Sequence, residues 1–331
     1  MAFRSTRLSH DDYTVACICP MGVELAAVEG MLDDIHESLP SSRDKNSYTL
    51  GRIGKHNIVV AVMPEIGNNQ SAIVATQLLN DFQSIRFGLL VGIGGGIPDE
   101  EGESDIRLGD VVVSKPNGTF GGVVQYDMGK VQAGGRFERT GTLGKPPAVL
   151  SANVKRLQAQ HLQRGSEIMN YLTEMLQKHP AMTDEGYTHQ GPEYDHLFKM
   201  DYLHVSGVTC QKCDLNQIVQ RAKRRSIQPR IHYGTIGSGN VVIKDGTARE
   251  QLRKELGVLC VEMEAAGLTD EFSCVVIRGI CDYADSHKNK RWQPYAAATA
   301  AAYMKELLYH IPTQEVQNTP AAVEALQKSS E

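Results

Sequence analysis

The chain of 331 residues predicts an α/β protein, a three-layer α/β/α sandwich around a central mixed β-sheet. Two observations carry that expectation. Short apolar, β-branched runs alternate with segments whose apolar residues recur at helical spacing. Two pairs of neighbouring strands, at 47–63 and 108–128, look like hairpins, which a purely parallel sheet does not contain.

Each element can be justified in turn. Residues 13–19, "YTVACIC", form an apolar run of strand length. Leu25, Val28, Leu32 and Ile35 then mark one face of a helix. Residues 47–63 read as a hairpin turning at 55–57. A helix begins near Asn68 or Asn69, either of which can cap it. "FGLLVGIGGGI", residues 87–97, is a buried strand ending in glycines. From about 149 to 230 the pattern changes. Residues 153–180 are helical, 181–198 are polar and punctuated by Gly and Pro, and 220–230 are strongly basic. This stretch reads as a helix plus a long insertion on an existing domain. Strands resume at 230–243, followed by a helix from Asp245, a short strand at 258–261 and a helix from Glu262. A strand at 274–282 and an Ala-rich helix at 295–311 close the domain. One domain thus spans 13–312, between a flexible N-terminus at 1–12 and a polar, flexible tail at 313–331.

Composition excludes several classes. The formal net charge of -5 gives no bulk attraction to nucleic acid or anionic lipid. There is no run of about 18 apolar residues, so no membrane span is expected. The N-terminus lacks the apolar core of a secretory signal, and a cytoplasmic protein is expected. Seven scattered cysteines, several inside apolar strands, read as reduced thiols. Cys210 and Cys213 have metal-knuckle or redox spacing. No second pair follows, and His204 and His232 are poorly spaced for a finger. Plain surface thiols outweigh a structural zinc, and no metal site is expected.

Three acids carry the chemistry. Asp282 ends the strand "VVIRGICD", Glu24 opens the first helix just past the first strand, and Glu264 lies in "VEMEAAG" at a strand-to-helix junction. Each has a bland reading as a helix-start or turn acid, worth about 0.3–1 kcal/mol. Three strand ends bearing acids at one sheet edge, however, make a place where α/β folds put their sites. Paired carboxylates are what glycosidic-bond cleavage needs, one to protonate the leaving group and one to activate water. "VGIGGGI" is a Gly-rich turn after a strand, but "PDEEGESD" follows it rather than a helix, which argues against a dinucleotide fingerprint.

"CPMGVE", "GIGGGI", "LGDVVVS", "GSGN", "VEMEAAG" and "IRGICDYAD" occur in the order found in the purine-nucleoside/uridine phosphorylase superfamily. Within it the chain resembles the methylthioadenosine/S-adenosylhomocysteine nucleosidase branch. More closely still, it resembles nucleosidase domains of filamentous fungi, often found at the head of NACHT or ankyrin-repeat proteins. "IRGICDYADSHKNKRWQPYAAATAAAYMKELL" carries that last likeness, and the resemblance covers about 13–311.

The resemblance implies a nucleoside phosphorylase-like fold, a homo-oligomer, no cofactor, and a small purine nucleoside or nucleotide as substrate. It implies that Asp282 protonates the base and that Glu24 orients and deprotonates water. It assigns the ribose to Glu264, Met263 and the neighbouring Glu262, and the base to Ser238, Gly239, Asn240, Val242 and Ile243. Gly94 and Gly95 become the wall near the nucleophile. Where the nucleosidases stack an aromatic ring on the base this sequence has Val242, and Tyr283 or Phe120 is the expected substitute. The insertion around 187–204 has no counterpart in the small bacterial enzymes. Lys223, Arg224, Arg225, Lys288, Lys290 and Arg291 could meet a nucleotide's phosphates or form a solvated face. Phosphorylases of the superfamily carry arginines after the first strand and before the Gly-rich turn, and "CPMGVELAAVEGML" and "GLLVGIGGG" have none. Hydrolysis is therefore favoured over phosphorolysis. A nucleotide-sensing module with weak catalysis is the reading from another class.

Overall fold

The computed structural model describes residues 8–40, 45–99 and 104–330. The N-terminal half runs β1 (Val15–Cys19), α1 (Gly22–Met31), β2 (Asp34–Ile35), β3 (Ser47–Ile53), β4 (His56–Val62), α2 (Asn68–Asp81), β5 (Phe87–Gly96), β6 (Val111–Ser114), β7 (Val123–Gln125), β8 (Gly129–Val131) and β9 (Phe137–Arg139). The C-terminal half runs α3 (Ala148–Arg164), α4 (Ile168–Lys178), α5 (Ala181–Asp184), β10 (Ile231–Ser238), α6 (Gly246–Leu256), β11 (Val258–Glu262), α7 (Ala265–Glu271), β12 (Cys274–Asp282), α8 (Gln293–His310), α9 (Thr313–Gln317) and α10 (Ala322–Ser330).

The main sheet has the order β11-β10-β6-β12-β5-β1-β4-β3-β2, with β7 also paired to β10. It is mixed: β1, β4, β5 and β12 run parallel, whereas β3 is antiparallel to β4 and β6 to β12. β11 also pairs with Gly95 and Gly96 of β5, so β5, β12, β6, β10 and β11 close on themselves like a small barrel. Both faces are covered. Along β1, Val15, Cys17 and Cys19 enter one apolar cluster with α1 and α8, while Ala16 and Ile18 enter the other with α2 and α7. A strand buried on both sides reads as a continuous apolar run, which is why "YTVACIC" and "CVVIRGIC" look as they do.

The structure corrects several expected details. The first helix stops at Met31, and Asp34–Ile35 pairs with β3, because Leu32 is extended and turns the chain back. The hairpin turns at Gly54, with φ 57°, one residue early. β6 and β7 are not a hairpin, since both run parallel to β10. The tail is not a loose coil: α9 and α10 occupy it, with Val316, Ala321 and Ala322 buried. Of the N-terminus expected to be flexible, residues 1–7 lie outside the described ones, and His10–Asp12 forms one helical turn. The 185–230 stretch is irregular with short helical turns, and it packs on the loop after β12. Tyr194 accepts there from the Trp292 indole at 3.3 Å, and Tyr283 meets Asp195. Among the described residues no helix is long and apolar enough to cross a membrane.

Candidate active site

The ends of β1, β5, β11 and β12 surround a cavity of about 210 Å³, lined among others by Glu24, Gly94, Gly95, Met263, Glu264 and Asp282. The acids that the sequence scattered over 258 positions thus meet at one sheet edge.

Glu24 sits at the third position of α1 and is 1% exposed. Its two oxygens accept from Ile93 N–H at 2.7 Å and Met21 N–H at 2.6 Å. Burial pushes its carboxyl up to about 8, opposed by Arg278 and the two N–H groups and reinforced by Glu264. That value brings the titration of this carboxyl toward neutral pH. Glu264 is the N-cap of α7, and its Oε2 accepts from Met263 N–H at 3.3 Å. Burial raises its carboxyl too, against Arg278 and with Glu262.

Arg278 on β12 is the centre that sequence reasoning missed. Its guanidinium is 1% exposed and bonds Glu262, lies 3.0 Å from Glu264 Oε2 and 3.8 Å from Glu24 Oε1. Its neighbours hold it protonated. The signal was legible: a lone arginine in the apolar run "VVIRGIC" must be paired to be buried. Gly92 makes room for this cluster, since a Cβ there would collide with Glu24 Oε1 and Arg278 Nη1.

Glu262 borders the cavity, but its carboxylate is engaged. It accepts from Glu264 N–H and Ala265 N–H at 3.0–3.1 Å, capping α7, and binds Arg278. These bonds orient Arg278 and the start of α7. Asp282 ends β12. Its Oδ1 accepts from Ala284 N–H at 2.8 Å and lies 3.3 Å from Lys288 Nζ, which also lines the cavity.

The predicted base wall divides. Val242 and Ile243 line the cavity beside Val241. Ser238 is fully buried beneath it, donating to Asn68 Oδ1 at 3.1 Å and accepting from Ala266 N–H at 3.0 Å. Asn240 is tied outward to Asp127 and Asn68. The ring at the wall is Tyr126, not Tyr283 or Phe120. Tyr126 lines the cavity and donates to Val241 C=O at 2.8 Å. It packs so close on Gly239 that a Cβ there would lie 2.5 Å from its Cζ. Tyr283 points away into Asp195 and Arg221, and Phe120 borders a different cavity.

Of the candidate phosphate cations, Lys288 alone lines this cavity. Arg224 is held by both oxygens of Asp110 at 2.6 and 2.7 Å, Arg291 lies 3.9 Å over the Tyr194 ring, and Lys223 and Arg225 border another cavity. Cys213 is buried rather than a surface thiol, and Cys210 is half-buried. Ligand atoms of His204, Cys210 and Cys213 lie within 4.8 Å of one another, outside the cavity's lining, whereas His232 bonds Asp110.

The phosphorylase superfamily model matches residues 14–309. A nucleotide-binding leucine-rich repeat (NLR)-like protein of Hyaloscypha variabilis is 46% identical over 315 residues, 95% of this chain, which spans 31% of that protein's length. A 5′-methylthioadenosine/S-adenosylhomocysteine nucleosidase of Mycobacterium tuberculosis is 24% identical over 90% of this chain and 97% of its own. ATP nucleosidase Cap17 of Escherichia coli is 25% identical over 90% of this chain, which spans 51% of it. Among solved structures, a Helicobacter pylori 5′-methylthioadenosine/S-adenosylhomocysteine nucleosidase has a TM-score of 0.57 at 17% identity, covering 89% of this chain and 97% of that one. The futalosine hydrolase of the same organism has a TM-score of 0.56 at 18% identity, covering 91% and 99%. Matched over nearly its whole length, with the strand-end acids gathered at one cavity, the chain belongs to the phosphorylase superfamily.

Proposed function

We propose that the chain is a purine nucleosidase, hydrolysing the N-glycosidic bond of an adenine-type nucleoside or nucleotide to free base and ribose or ribose phosphate. The observation that carries the reading is the Glu24 carboxyl, fixed by two backbone N–H groups at the cavity and raised to about 8. A base so placed suits a water nucleophile. Asp282, across the strand ends, protonates the departing purine, and Glu264 holds the ribose hydroxyls against Met263. The transition state carries positive charge on the sugar, and the carboxylates around the cavity stabilise it. Tyr126 offers the base a ring face.

Charge favours water over phosphate. Glu24, Glu262, Glu264 and Asp282 border the cavity against two cations, Arg278 and Lys288. Each cation already meets a carboxylate, so among the described residues a phosphate dianion has no unshared partner there. The Escherichia coli relative that acts on ATP and the nucleosidases that act on methylthioadenosine support an adenine-type substrate. The homo-oligomer belongs to the same reading: exposed Ile66, Val241 and Val242 beside the cavity suit cover by a second copy. Seven free thiols suit a reducing, cytoplasmic setting.

The test is a panel of purine nucleosides and nucleotides incubated with purified protein, with and without phosphate. Free base plus ribose or ribose phosphate is expected in the absence of phosphate. Base plus ribose 1-phosphate, formed only when phosphate is added, would make the protein a phosphorylase. No cleavage of any substrate would leave a binding or sensing module.

A further inference from the structure

We propose that His204, Cys210, Cys213 and His287 form a tetrahedral zinc site that pins the 185–230 stretch to the loop after β12. The first three present one ligand atom each within 4.8 Å of one another. Two thiols and an imidazole are the donors that zinc takes, and Cys-x-x-Cys is knuckle spacing. The local backbone is arranged for it. Cys210–Lys212 is a single helical turn in which Cys213 N–H bonds Cys210 C=O at 3.1 Å, so the turn brings both cysteines round to one side. His204 Nε2 lies 3.1 Å from Thr209 C=O. Donation to that carbonyl leaves Nδ1 with a free lone pair, the arrangement in which a metal-bound histidine is oriented by its other nitrogen.

His287 is the independent observation. It is 7% exposed, and among the described residues neither ring nitrogen has a hydrogen-bond partner. A buried imidazole left so costs free energy unless something else binds it. Its ring lies 5.5 Å from that of His204, and Cys210 Sγ lies 3.9 Å from its carbonyl. Phe198 and Tyr202 stack on it, at 4.0 and 5.5 Å. Asp285 Oδ1 stands 3.6 Å from its Nδ1, leaving Nε2 as the ligand and the carboxylate as its outer partner. Closing the fourth corner requires this ring to move, since its nitrogens stand outside the group of three ligand atoms.

The consequence lies one residue on. His287 precedes Lys288, which meets Asp282 in the cavity, and the same loop contains Ala284 at φ 51°, a conformation that needs outside support. None of the four ligands lines the cavity, so the ion's role is to hold the loop, not to act on substrate. It ties a segment with little regular structure to the Asp282 side of the site.

The test reads metal, not turnover, so its failure is distinct from failure of the nucleosidase reading. The 331-residue chain purified under reducing conditions is expected to carry about one zinc per chain by elemental analysis. Stripped with chelator and titrated with CoCl₂ alone, it should show the thiolate charge-transfer bands of tetrahedral cobalt, which ZnCl₂ abolishes. Cys213→Ala should lose those bands. His287→Ala should weaken cobalt binding by at least the roughly tenfold that loss of even an outer partner brings. Wild-type protein with no zinc and no cobalt spectrum overturns the site without recourse to any variant. So does a Cys210–Cys213 disulfide in the reduced preparation. His287→Ala protein that binds cobalt as tightly as wild type removes His287 from the ligand set.

Discussion

Arg278 stands 3.8 Å from the Glu24 carboxylate, and each side chain is 1% exposed. The same guanidinium serves Glu262 and Glu264, so one cation stands among three buried acidic groups. Taking it away leaves buried charge uncompensated, which typically costs about 3–5 kcal/mol. Arg278→Met should therefore lower the urea midpoint markedly at pH 7 and lower activity with it. The unfolding midpoint checks this, and a variant as stable as wild type would show that the acids do not depend on Arg278.

Asp282→Asn should keep the fold and lose most turnover. Asn replaces the acceptor for Ala284 N–H but cannot give an acidic proton. A positioned general acid is worth about 10²–10⁴-fold. The loss should shrink for substrates whose base leaves easily, and kcat across a series of leaving groups measures it. Near-normal kcat in folded Asp282→Asn protein would take Asp282 out of the chemistry.

Glu264→Gln should hurt ribonucleosides more than 2′-deoxyribonucleosides. A carboxylate that accepts from two hydroxyls loses charge-assisted strength as an amide. Arg278 is still held by Glu262, so the fold should survive. The ratio of kcat/KM for the two sugars, in wild type and variant, is the measurement. Equal losses would mean that Glu264 does not touch the sugar.

Much of this architecture was legible because it rests on period and end. The apolar runs gave strands, and the acids at their ends gave the edge where the site lies. Glu24, Glu264 and Asp282 reach the cavity as expected. What escaped depends on distant contacts. Tyr126 lies over 100 residues from Val241, whose carbonyl it meets, and nothing local marks it as the ring at the wall. His204 looked unrelated to Cys210 by spacing, since an irregular loop can bring any two residues together. The resemblance puts Ser238 beside the base, whereas the alternation of β10 turns its side chain inward to Asn68. For Glu24 the sequence offers a helix-start role worth about 0.3–1 kcal/mol beside the catalytic one. Burial and two N–H bonds make it part of the core instead.

That last point shapes the prediction for Glu24. Its ordinary carboxyl value of 4.5 is raised to about 8 in the fold. The folded protein therefore binds this proton more tightly than the unfolded chain does. The resulting stability is fully present below about pH 4.5 and is lost as pH rises through about 8. On the proposed mechanism activity should run the other way, because only an ionised carboxylate can accept a proton from water. The kcat/KM of wild type should climb about tenfold per pH unit and level off above about pH 8. Glu24→Gln cannot ionise, so this group's share of both dependences should vanish: little hydrolysis at any pH, and a smaller loss of stability between about pH 5 and pH 9 than wild type shows. The variant should also be less stable at pH 5, by about 1–3 kcal/mol, because its amide must set an NH₂ against one of the two N–H donors. Urea midpoints at the two pH values, with the kcat/KM profile, separate these effects. A profile that stays flat through pH 8, or that survives Glu24→Gln, would assign the water's proton to another group.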